Sequence, residues 1–122
     1  TSRIFINYRT LARALRAMPR SKYGNIRTVV DGIKFASKAE ANRYVLLRER
    51  QRQGEISDLE MQPKFPITLN NRPICSYYAD FRYTENGEAV IEDVKGVRTA
   101  IYRLKKKLTE AEYGIKITEI RA

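Results

Sequence analysis

Two aspartates and a lysine lie in the segment 77–96, YYADFRYTENGEAVIEDVKG, which otherwise reads as the core of a sheet. Asp80 follows a group of aromatic residues, and Asp93 and Lys95 lie in an apolar run. Mg²⁺ takes oxygen ligands and is typically held by one or two carboxylates together with substrate phosphate. A lysine beside such a site can offset charge that develops on a phosphate. The residue types therefore favour metal-assisted phosphodiester hydrolysis, with Mg²⁺ or Mn²⁺ as the cofactor.

The spacing of these residues predicts that the two acids lie close together. Asn-Gly at 86–87 supplies the positive φ values that a tight hairpin needs, and each acid lies six positions from the nearer residue of this turn. Asp80 and Asp93 are therefore expected roughly opposite each other on adjacent strands. Because side chains alternate along a strand, Asp93 and Lys95 share a face and Glu92 points to the other.

A purely structural reading of the same residues stays open from spacing alone. Lys95 could form a salt bridge with Asp80 or Asp93 on a solvated face of the sheet. Against this reading, two buried carboxylates that face each other repel, and a divalent cation would relieve the repulsion.

Helix and strand signals around these residues predict a single α/β domain with a mixed sheet. The predicted order is β-β-α-β-β-β-α-β, and the connection between the last two strands is a helix, which favours a parallel final pair. Ser37 can cap the first helix and Gly54 can end it, whereas Ile101, Leu104, Leu108 and Ala111 form an apolar stripe on the second. The segments predicted as strands or hairpins are 28–35, 59–69, 74–84, 89–95 and 115–120, and those predicted as helices are 37–54 and 99–113.

Composition excludes several classes of active site. The 122 residues contain no histidine, and Cys75 is the single cysteine. A zinc site of histidine and cysteine, a Ser-His or Cys-His nucleophile and an intrachain disulfide are therefore excluded. No run of about 18 apolar residues and no apolar signal core is present, so we expect no membrane partner and a cytoplasmic protein.

The charge distribution predicts a polyanionic partner. The chain carries a net charge of +10, and residues 1–27 contain seven basic residues and no acid. Leu11, Leu15 and Met18 follow helical spacing there, so residues 1–27 are expected to form a basic helical arm, with the compact body in 28–122. Nucleic acid is the commonest polyanion, although a basic solvated surface is the alternative. The candidate phosphate contacts are Arg13, Arg16, Arg20, Lys22, Lys34, Lys64, Arg98 and Lys105.

The motifs together resemble a known group of nucleases. Asp80 followed by Asp93-Val94-Lys95 is similar to the PD-(D/E)XK signature, with Ala79 before the first acid where the name has proline. The wider pattern DGIKFASKAEANRY…GEISDLEMQPKF…YYADFRY…VIEDVKG resembles small phage-encoded nucleases of that superfamily, likened to Holliday junction resolvases. The resemblance covers roughly residues 22–120. It implies a restriction-endonuclease-like domain that cleaves DNA.

The resemblance also implies roles for individual residues. Asp80 and Asp93 would be metal ligands, Lys95 the catalytic lysine, Glu40 a third ligand acting directly or through water, and Gln62 a polar active-site residue. Each of the last two has a structural alternative: Glu40 fits a capping box with Ser37, and Gln62 could satisfy backbone groups in an irregular strand.

The expected function is metal-dependent endonuclease activity on branched DNA such as Holliday junctions, in phage recombination or DNA processing. A resolvase makes two coordinated cuts, so a symmetric homodimer is expected, with the basic arm as a candidate interface. A non-catalytic nucleic-acid-binding protein, in which the acids are salt-bridge partners, is the alternative. A structural or adaptor role is the third possibility.

Overall fold

The structure is a computed structural model that describes residues 27–122. Residues 1–26, which contain the apolar stripe of the predicted arm and four of the candidate phosphate contacts, lie outside the described residues. The elements are β1 (Thr28–Val30), β2 (Ile33–Phe35), α1 (Lys38–Arg52), β3 (Ser57–Met61), β4 (Lys64–Leu69), β5 (Arg72–Tyr78), β6 (Phe81–Glu85), β7 (Glu88–Lys95), α2 (Ala100–Tyr113) and β8 (Ile117–Arg121).

The central sheet is mixed, as the sequence predicts. Its four strands lie in the order β3-β6-β7-β8, with β3/β6 and β6/β7 antiparallel and β7/β8 parallel. The parallel pair is joined through α2, which is the crossover that a parallel connection requires. Two hairpins, β1-β2 and β4-β5, form separate two-stranded sheets. The mixed α/β class is thereby confirmed.

The number of strands was predicted wrongly, because two long segments are each divided in the structure. Segment 59–69 is divided at Gln62-Pro63, and segment 74–84 is divided at Ala79-Asp80, which gives eight strands instead of six. Gln62 has a φ of 54° and Pro63 has no N–H to offer a ladder, so the first strand cannot continue straight. The two breaks lie opposite each other. Beyond them, the same two segments continue as a separate two-stranded ribbon, β4-β5.

Turns and caps follow the local sequence closely. Asp31-Gly32 and Asn86-Gly87 have positive φ values and close the predicted hairpins. Ser37 caps α1 by accepting a hydrogen bond from the Glu40 N–H, and Gly114 ends α2 in the left-handed conformation. These positions fix where the strands and helices that carry the candidate site begin and end.

Two groups of buried residues pack on opposite faces of the central sheet. One lies between the sheet and α1 and includes Leu47 and Phe81, and the other lies towards α2 and β4-β5 and includes Tyr77 and Ile117. Within residues 27–122, no helix is long and apolar enough to cross a membrane.

Candidate active site

The antiparallel register of β6 and β7 brings the two aspartates together. Glu85 pairs with Glu88 beside the turn, and Phe81 pairs with Glu92 at the far end. One position further from the turn, each segment has an aspartate: Asp80 precedes Phe81, and Asp93 follows Glu92. The Asp80 N–H donates to the Glu92 carbonyl at 3.1 Å. Asp80 therefore lies opposite Asp93, as the equal spacing from the turn predicts.

The bend in the ribbon holds the backbone of Asp80 in place. The Gln62 N–H donates to the Asp80 carbonyl at 2.9 Å, and the Ala79 N–H donates to the Pro63 carbonyl at 3.2 Å. Asp80 thus ends the ladder of the central sheet at the point where the chain turns out of it. This break leaves its side chain at the end of the sheet, where an ion or a phosphate can approach.

Asp93 is a buried carboxylate whose two oxygens have different surroundings. The side chain is 1% exposed. Its Oδ2 accepts a hydrogen bond from the Tyr77 hydroxyl, whereas its Oδ1 is buried without a hydrogen-bond donor. The Lys95 Nζ lies 3.5 Å from Oδ1. A buried carboxylate oxygen without a hydrogen-bond donor is costly, and the Lys95 ammonium group offsets part of that cost.

Asp80 completes a pair of carboxyls in a poorly solvated position. Its Oδ2 accepts a hydrogen bond from the Val94 N–H at 2.7 Å, and its carboxyl lies within hydrogen-bonding reach of Asp93. Burial, and then the neighbouring Asp93 carboxyl, raise the pKa of Asp80 to about 8. The Asp80 carboxyl therefore keeps its proton to a higher pH than an ordinary aspartate does.

This raised pKa predicts how stability depends on pH when EDTA is present. Asp80 has an ordinary pKa of 3.8, so between about pH 4 and pH 8 the folded chain keeps a proton that the unfolded chain has released. The free energy of unfolding should therefore fall as pH rises through this window, by on the order of a few kcal/mol. Urea unfolding at several pH values, compared between wild type and Asp80→Asn, measures this contribution. Equal pH slopes in the two proteins would contradict the raised pKa.

Contact with the anchored ring of Tyr102 holds Lys95 in position. Its Nζ lies 4.4 Å from the centre of the Tyr102 ring, a distance at which a cation is attracted to the ring face. The Tyr102 hydroxyl donates to Glu119 Oε2 at 3.0 Å, so the ring is itself anchored to β8. Lys95 is half-buried and retains access to solvent on one side. The ammonium group is thereby held beside the two carboxyls.

Glu40 lies near this pair without closing a three-carboxylate cluster. Burial raises the pKa of its carboxyl, and Lys95 and Asp93 both act on it electrostatically. Its backbone N–H donates to Ser37 Oγ at 3.2 Å, so Glu40 also takes part in the cap of α1. Among residues 27–122, no three or more acidic or cysteine side chains are grouped closely enough to hold a metal ion. A metal at this site would therefore be held chiefly by the two aspartates.

Gln62 contributes through its backbone. Its N–H holds the Asp80 carbonyl, and the residue as a whole is exposed. Of the two interpretations drawn from the sequence, this geometry agrees with the structural one, in which Gln62 satisfies backbone groups at an irregular position. A role for its amide side chain in the site stays a prediction.

Glu92 points to the opposite face of the sheet, as strand parity predicts. It is buried and accepts two hydrogen bonds from Arg43 of α1, at 2.8 and 2.6 Å, and a third from the Tyr83 hydroxyl. These contacts attach α1 to the strand that carries Asp93. Glu92 is therefore a structural residue in the described chain.

The replacement Arg43→Met should destabilise the fold by about 3–5 kcal/mol, because it leaves Glu92 buried and unpaired. The matched replacement Arg82→Met breaks an exposed pair with Glu60 and should cost no more than about 1 kcal/mol. Urea unfolding of both variants measures the difference. A similar cost for the two variants would contradict the structural role of the buried pair.

The basic residues predicted to contact phosphate have different surroundings. Lys34 and Lys64 are exposed, whereas Lys105 is half-buried and donates to the Ser76 carbonyl at 3.2 Å. Arg98 is exposed and pairs with Glu119 at 3.2 Å. Lys105 thus ties α2 to β5, which leaves it less free to contact phosphate than the sequence predicts.

A basic cleft opens beside Lys95. It has a volume of about 460 Å³ and is lined by Lys95, Gly96, Arg98, Glu119, Ile120 and Arg121. A second cleft of about 270 Å³ shares Arg98 and Glu119 with the first, and Arg103, Lys106 and Lys107 line it further along α2. Positive side chains therefore extend from the candidate site along one side of the molecule.

Tyr77 and Tyr102 belong to the site, although neither was predicted from sequence as a site residue. The Tyr77 hydroxyl contacts Asp93, and burial together with that contact raises the pKa of Tyr77. The sequence gives little indication of the Tyr77 contact, because the bend between β5 and β6 is what brings the Tyr77 hydroxyl to Asp93. Tyr102 is separated from Lys95 by a loop, and no spacing rule links the two residues.

Comparison with known proteins gives a family and no function. No curated protein matches the chain. The model of a family described as "Protein of unknown function (DUF1064)" matches residues 20–121. This match includes every element described above and all of the candidate site. The chain belongs to the DUF1064 family.

Proposed function

We propose that the protein is a metal-dependent endodeoxyribonuclease that hydrolyses phosphodiester bonds. The observation that carries the proposal is the Asp80–Asp93 pair at the end of the central sheet, with a buried Asp93 oxygen that has no hydrogen-bond donor and Lys95 Nζ 3.5 Å from it. A buried, repelling pair of carboxyls destabilises a fold unless a proton or a cation accompanies it. A cationic ligand would account for the close approach of these two carboxyls.

The side chains present suit Mg²⁺ or Mn²⁺. Asp80 and Asp93 offer carboxylate oxygens, which hard divalent cations prefer, and Glu40, whose pKa responds to Lys95 and Asp93, would act through water. When bound, such an ion supplies Lewis-acid stabilisation of a phosphoryl group and promotes ionisation of water. One or two carboxylates with substrate phosphate are a usual set for Mg²⁺, so two aspartates are sufficient.

Lys95 acts on the phosphate in this proposal. Its ammonium group can donate hydrogen bonds to a non-bridging oxygen of the scissile phosphate and offset the charge that grows there in the transition state. Tyr102 limits its motion through the ring contact, and Tyr77 orients the Asp93 carboxyl through its hydroxyl. Asp93 in turn keeps the ammonium group at this end of the sheet.

We further propose that the fold is restriction-endonuclease-like and that the chain belongs to the PD-(D/E)XK superfamily. Support comes from the order of the elements, in which the two acids and the lysine lie on adjacent antiparallel strands followed by a helical crossover to a parallel strand. The resemblance of residues 22–120 to small phage-encoded nucleases agrees with this order. A cytoplasmic location, in a bacterial host if the protein is phage-encoded, is part of the same proposal.

DNA is the proposed substrate because the basic cleft continues from Lys95 along α2. Contacts of lysine and arginine with phosphate give affinity without sequence preference, so the structure of the DNA is the more suitable feature to recognise. Branched DNA such as a Holliday junction is the proposed form, with a homodimer to make paired cuts.

Binding of DNA without catalysis is the second candidate, and one observation favours it. Lys95 and the Tyr77 hydroxyl already pair Asp93 in part, as salt-bridge and hydrogen-bond partners would in a purely structural site. The two candidates differ in the effect of metal on DNA integrity.

The experiment is cleavage of a labelled four-way junction and of its matching linear duplex, each with Mg²⁺, Mn²⁺ or EDTA. Symmetric nicks in the junction alone, dependent on metal, support the whole proposal. Equal cutting of both substrates keeps the nuclease and removes the selectivity. Tight binding without cutting under every condition supports the non-catalytic candidate.

A further inference from the structure

Glu119 is an acid that lies in the basic cleft beside the candidate site. It is on β8, where it pairs in register with Asp93 of β7, and it lines both the larger and the smaller cleft. Residues that pair in register point to the same face of a sheet, so Glu119 faces the same side as Asp93. A negative charge at this position works against the DNA binding proposed for the cleft.

The Glu119 carboxylate is held between two basic side chains and a hydroxyl. The Tyr102 hydroxyl donates to Oε2 at 3.0 Å, Arg98 Nε lies 3.2 Å from the same oxygen, and Lys106 Nζ lies 3.4 Å from Oε1. Partial burial tends to raise the pKa of this carboxyl, but the hydrogen bond from Tyr102 and the charges of Lys106 and Arg98 hold it below its ordinary value. Glu119 is therefore ionised at neutral pH, and each of its oxygens contacts a cation.

The groups around this carboxylate suit a phosphate equally well. Arginine, lysine and tyrosine side chains commonly donate to phosphate oxygens in complexes with DNA, and the planar guanidinium group can bind phosphate through two parallel hydrogen bonds. The Arg98 side chain is 63% exposed, and an ion pair as exposed as this contributes little to stability. Exchange of the carboxylate for a phosphate at Arg98 therefore costs the fold little.

We infer that Arg98 and Lys106 bind a backbone phosphate of the DNA, and that the Glu119 carboxylate takes the place of this phosphate in the protein without DNA. The inference rests on the proposal that the cleft binds DNA, and it adds a second phosphate site next to the one at Lys95. Lys95 and Arg98 line the same cleft, so a strand with its scissile phosphate at Lys95 can reach Arg98 with a neighbouring one. Lys106 was not among the contacts predicted from sequence.

One replacement has opposite effects under this inference and under its alternative. If Glu119 competes with phosphate, Glu119→Gln should bind DNA more tightly, because the amide releases both cations and removes a repelling charge. If Glu119 instead holds Arg98 and Lys106 ready for phosphate, the same replacement should weaken binding. Competition is favoured because the exposed Arg98 is held only weakly, whereas a negative charge beside a phosphate repels it in any geometry.

The test is the affinity of the full chain for a labelled linear duplex, measured by fluorescence anisotropy in EDTA at about 0.15 M salt. Glu119→Gln should bind at least about threefold more tightly than wild type, because two more cations become available to phosphate. The amide oxygen can still accept the hydrogen bond from the Tyr102 hydroxyl, so the fold should be retained, and circular dichroism checks this.

Glu60→Gln is the matched control, because it makes the same change of charge and also breaks a pair between a carboxylate and an arginine, Arg82. Glu60 is on β3, at the opposite edge of the central sheet from β8. Three strand spacings, about 14 Å, separate the two edges, which is more than the screening length of about 8 Å at this salt concentration. The control should therefore bind within about 1.5-fold of wild type.

Two further variants connect the gain in affinity to the proposed site. Lys106→Met should weaken binding by about threefold, because a phosphate contact is lost. In a chain that carries Arg98→Met, the added replacement Glu119→Gln should improve binding by less than half as much as it does alone, since one of the cations that it releases is absent.

Weaker or unchanged binding by Glu119→Gln would overturn the inference, and so would an equal gain in Glu60→Gln. A gain that persists in full beside Arg98→Met would overturn it as well. The same holds if neither wild type nor Glu119→Gln binds the duplex. These measurements involve neither metal nor cleavage, so the inference can fail while the nuclease proposal holds, and it can hold if no cleavage is found.

Discussion

Replacement of Asp80 by asparagine should lower the rate of DNA cleavage by at least about a thousandfold, because it removes one of the two carboxylates that would hold the metal ion. Asparagine keeps the shape of the side chain and can still accept the hydrogen bond from the Val94 N–H. DNA binding should therefore stay within about threefold of wild type, since the phosphate contacts are made by other, basic residues. Single-turnover cleavage and a binding titration in EDTA measure the two effects.

The same variant separates the catalytic from the structural interpretation of Asp80. If the carboxylate destabilises the metal-free fold when it is ionised, Asp80→Asn should be more stable than wild type at pH 9 in EDTA. If Asp80 is a salt-bridge partner, the replacement should lower stability instead. Glu60→Gln is the control, because Glu60 is an exposed carboxylate on the neighbouring strand β3. Cleavage by Asp80→Asn at the wild-type rate would refute the site assignment.

Replacement of Lys95 by methionine should lower cleavage by about 10²–10⁴-fold, because the ammonium group that offsets charge on the phosphate is lost while the length of the side chain is kept. The apolar methionine still packs over the Tyr102 ring, so the fold should be retained. Metal binding should persist, since the two aspartates remain. The measurement is the single-turnover rate in saturating Mg²⁺ or Mn²⁺.

Lys116→Met is the matched control for Lys95. Lys116 is exposed and lies just before the first residue of β8. Lys95 pairs with Arg121 at the other end of that strand, so the two lysines lie at opposite ends of the sheet. The control should cleave within about threefold of wild type if its lysine is a solvated surface charge. Equal losses in the two variants would mean that Lys95 contributes only to the general positive charge.

The pairing of the acids could be predicted from sequence because it depends on local rules. An Asn-Gly turn fixes the register of its hairpin, and equal spacing then sets Asp80 against Asp93. Strand parity likewise separates Glu92 from Asp93 and Lys95. The cap at Ser37 was predicted for the same reason, since it depends on a few neighbouring residues.

The parts that were missed depend on contacts between distant segments. The bend at Gln62-Pro63 and Ala79-Asp80 arises from pairing between two segments, and neither break is evident from propensity alone. Tyr77 reaches Asp93 only because of that bend. The apolar stripe on α2 was predicted, but its exposure was not, because an apolar row normally marks the buried face of a helix. In this helix, Tyr102 occupies the buried face and contacts Lys95.

Direct binding of Mn²⁺ tests most closely whether the acid pair is a metal site. Calorimetric titration of the full chain at pH 8 should show saturable binding in wild type and in Glu60→Gln. Binding should be at least about tenfold weaker in Asp80→Asn and in Asp93→Asn, because ligand charge sets much of the affinity for a hard cation. Equal binding by all four proteins, or none by wild type, would contradict the account of this site.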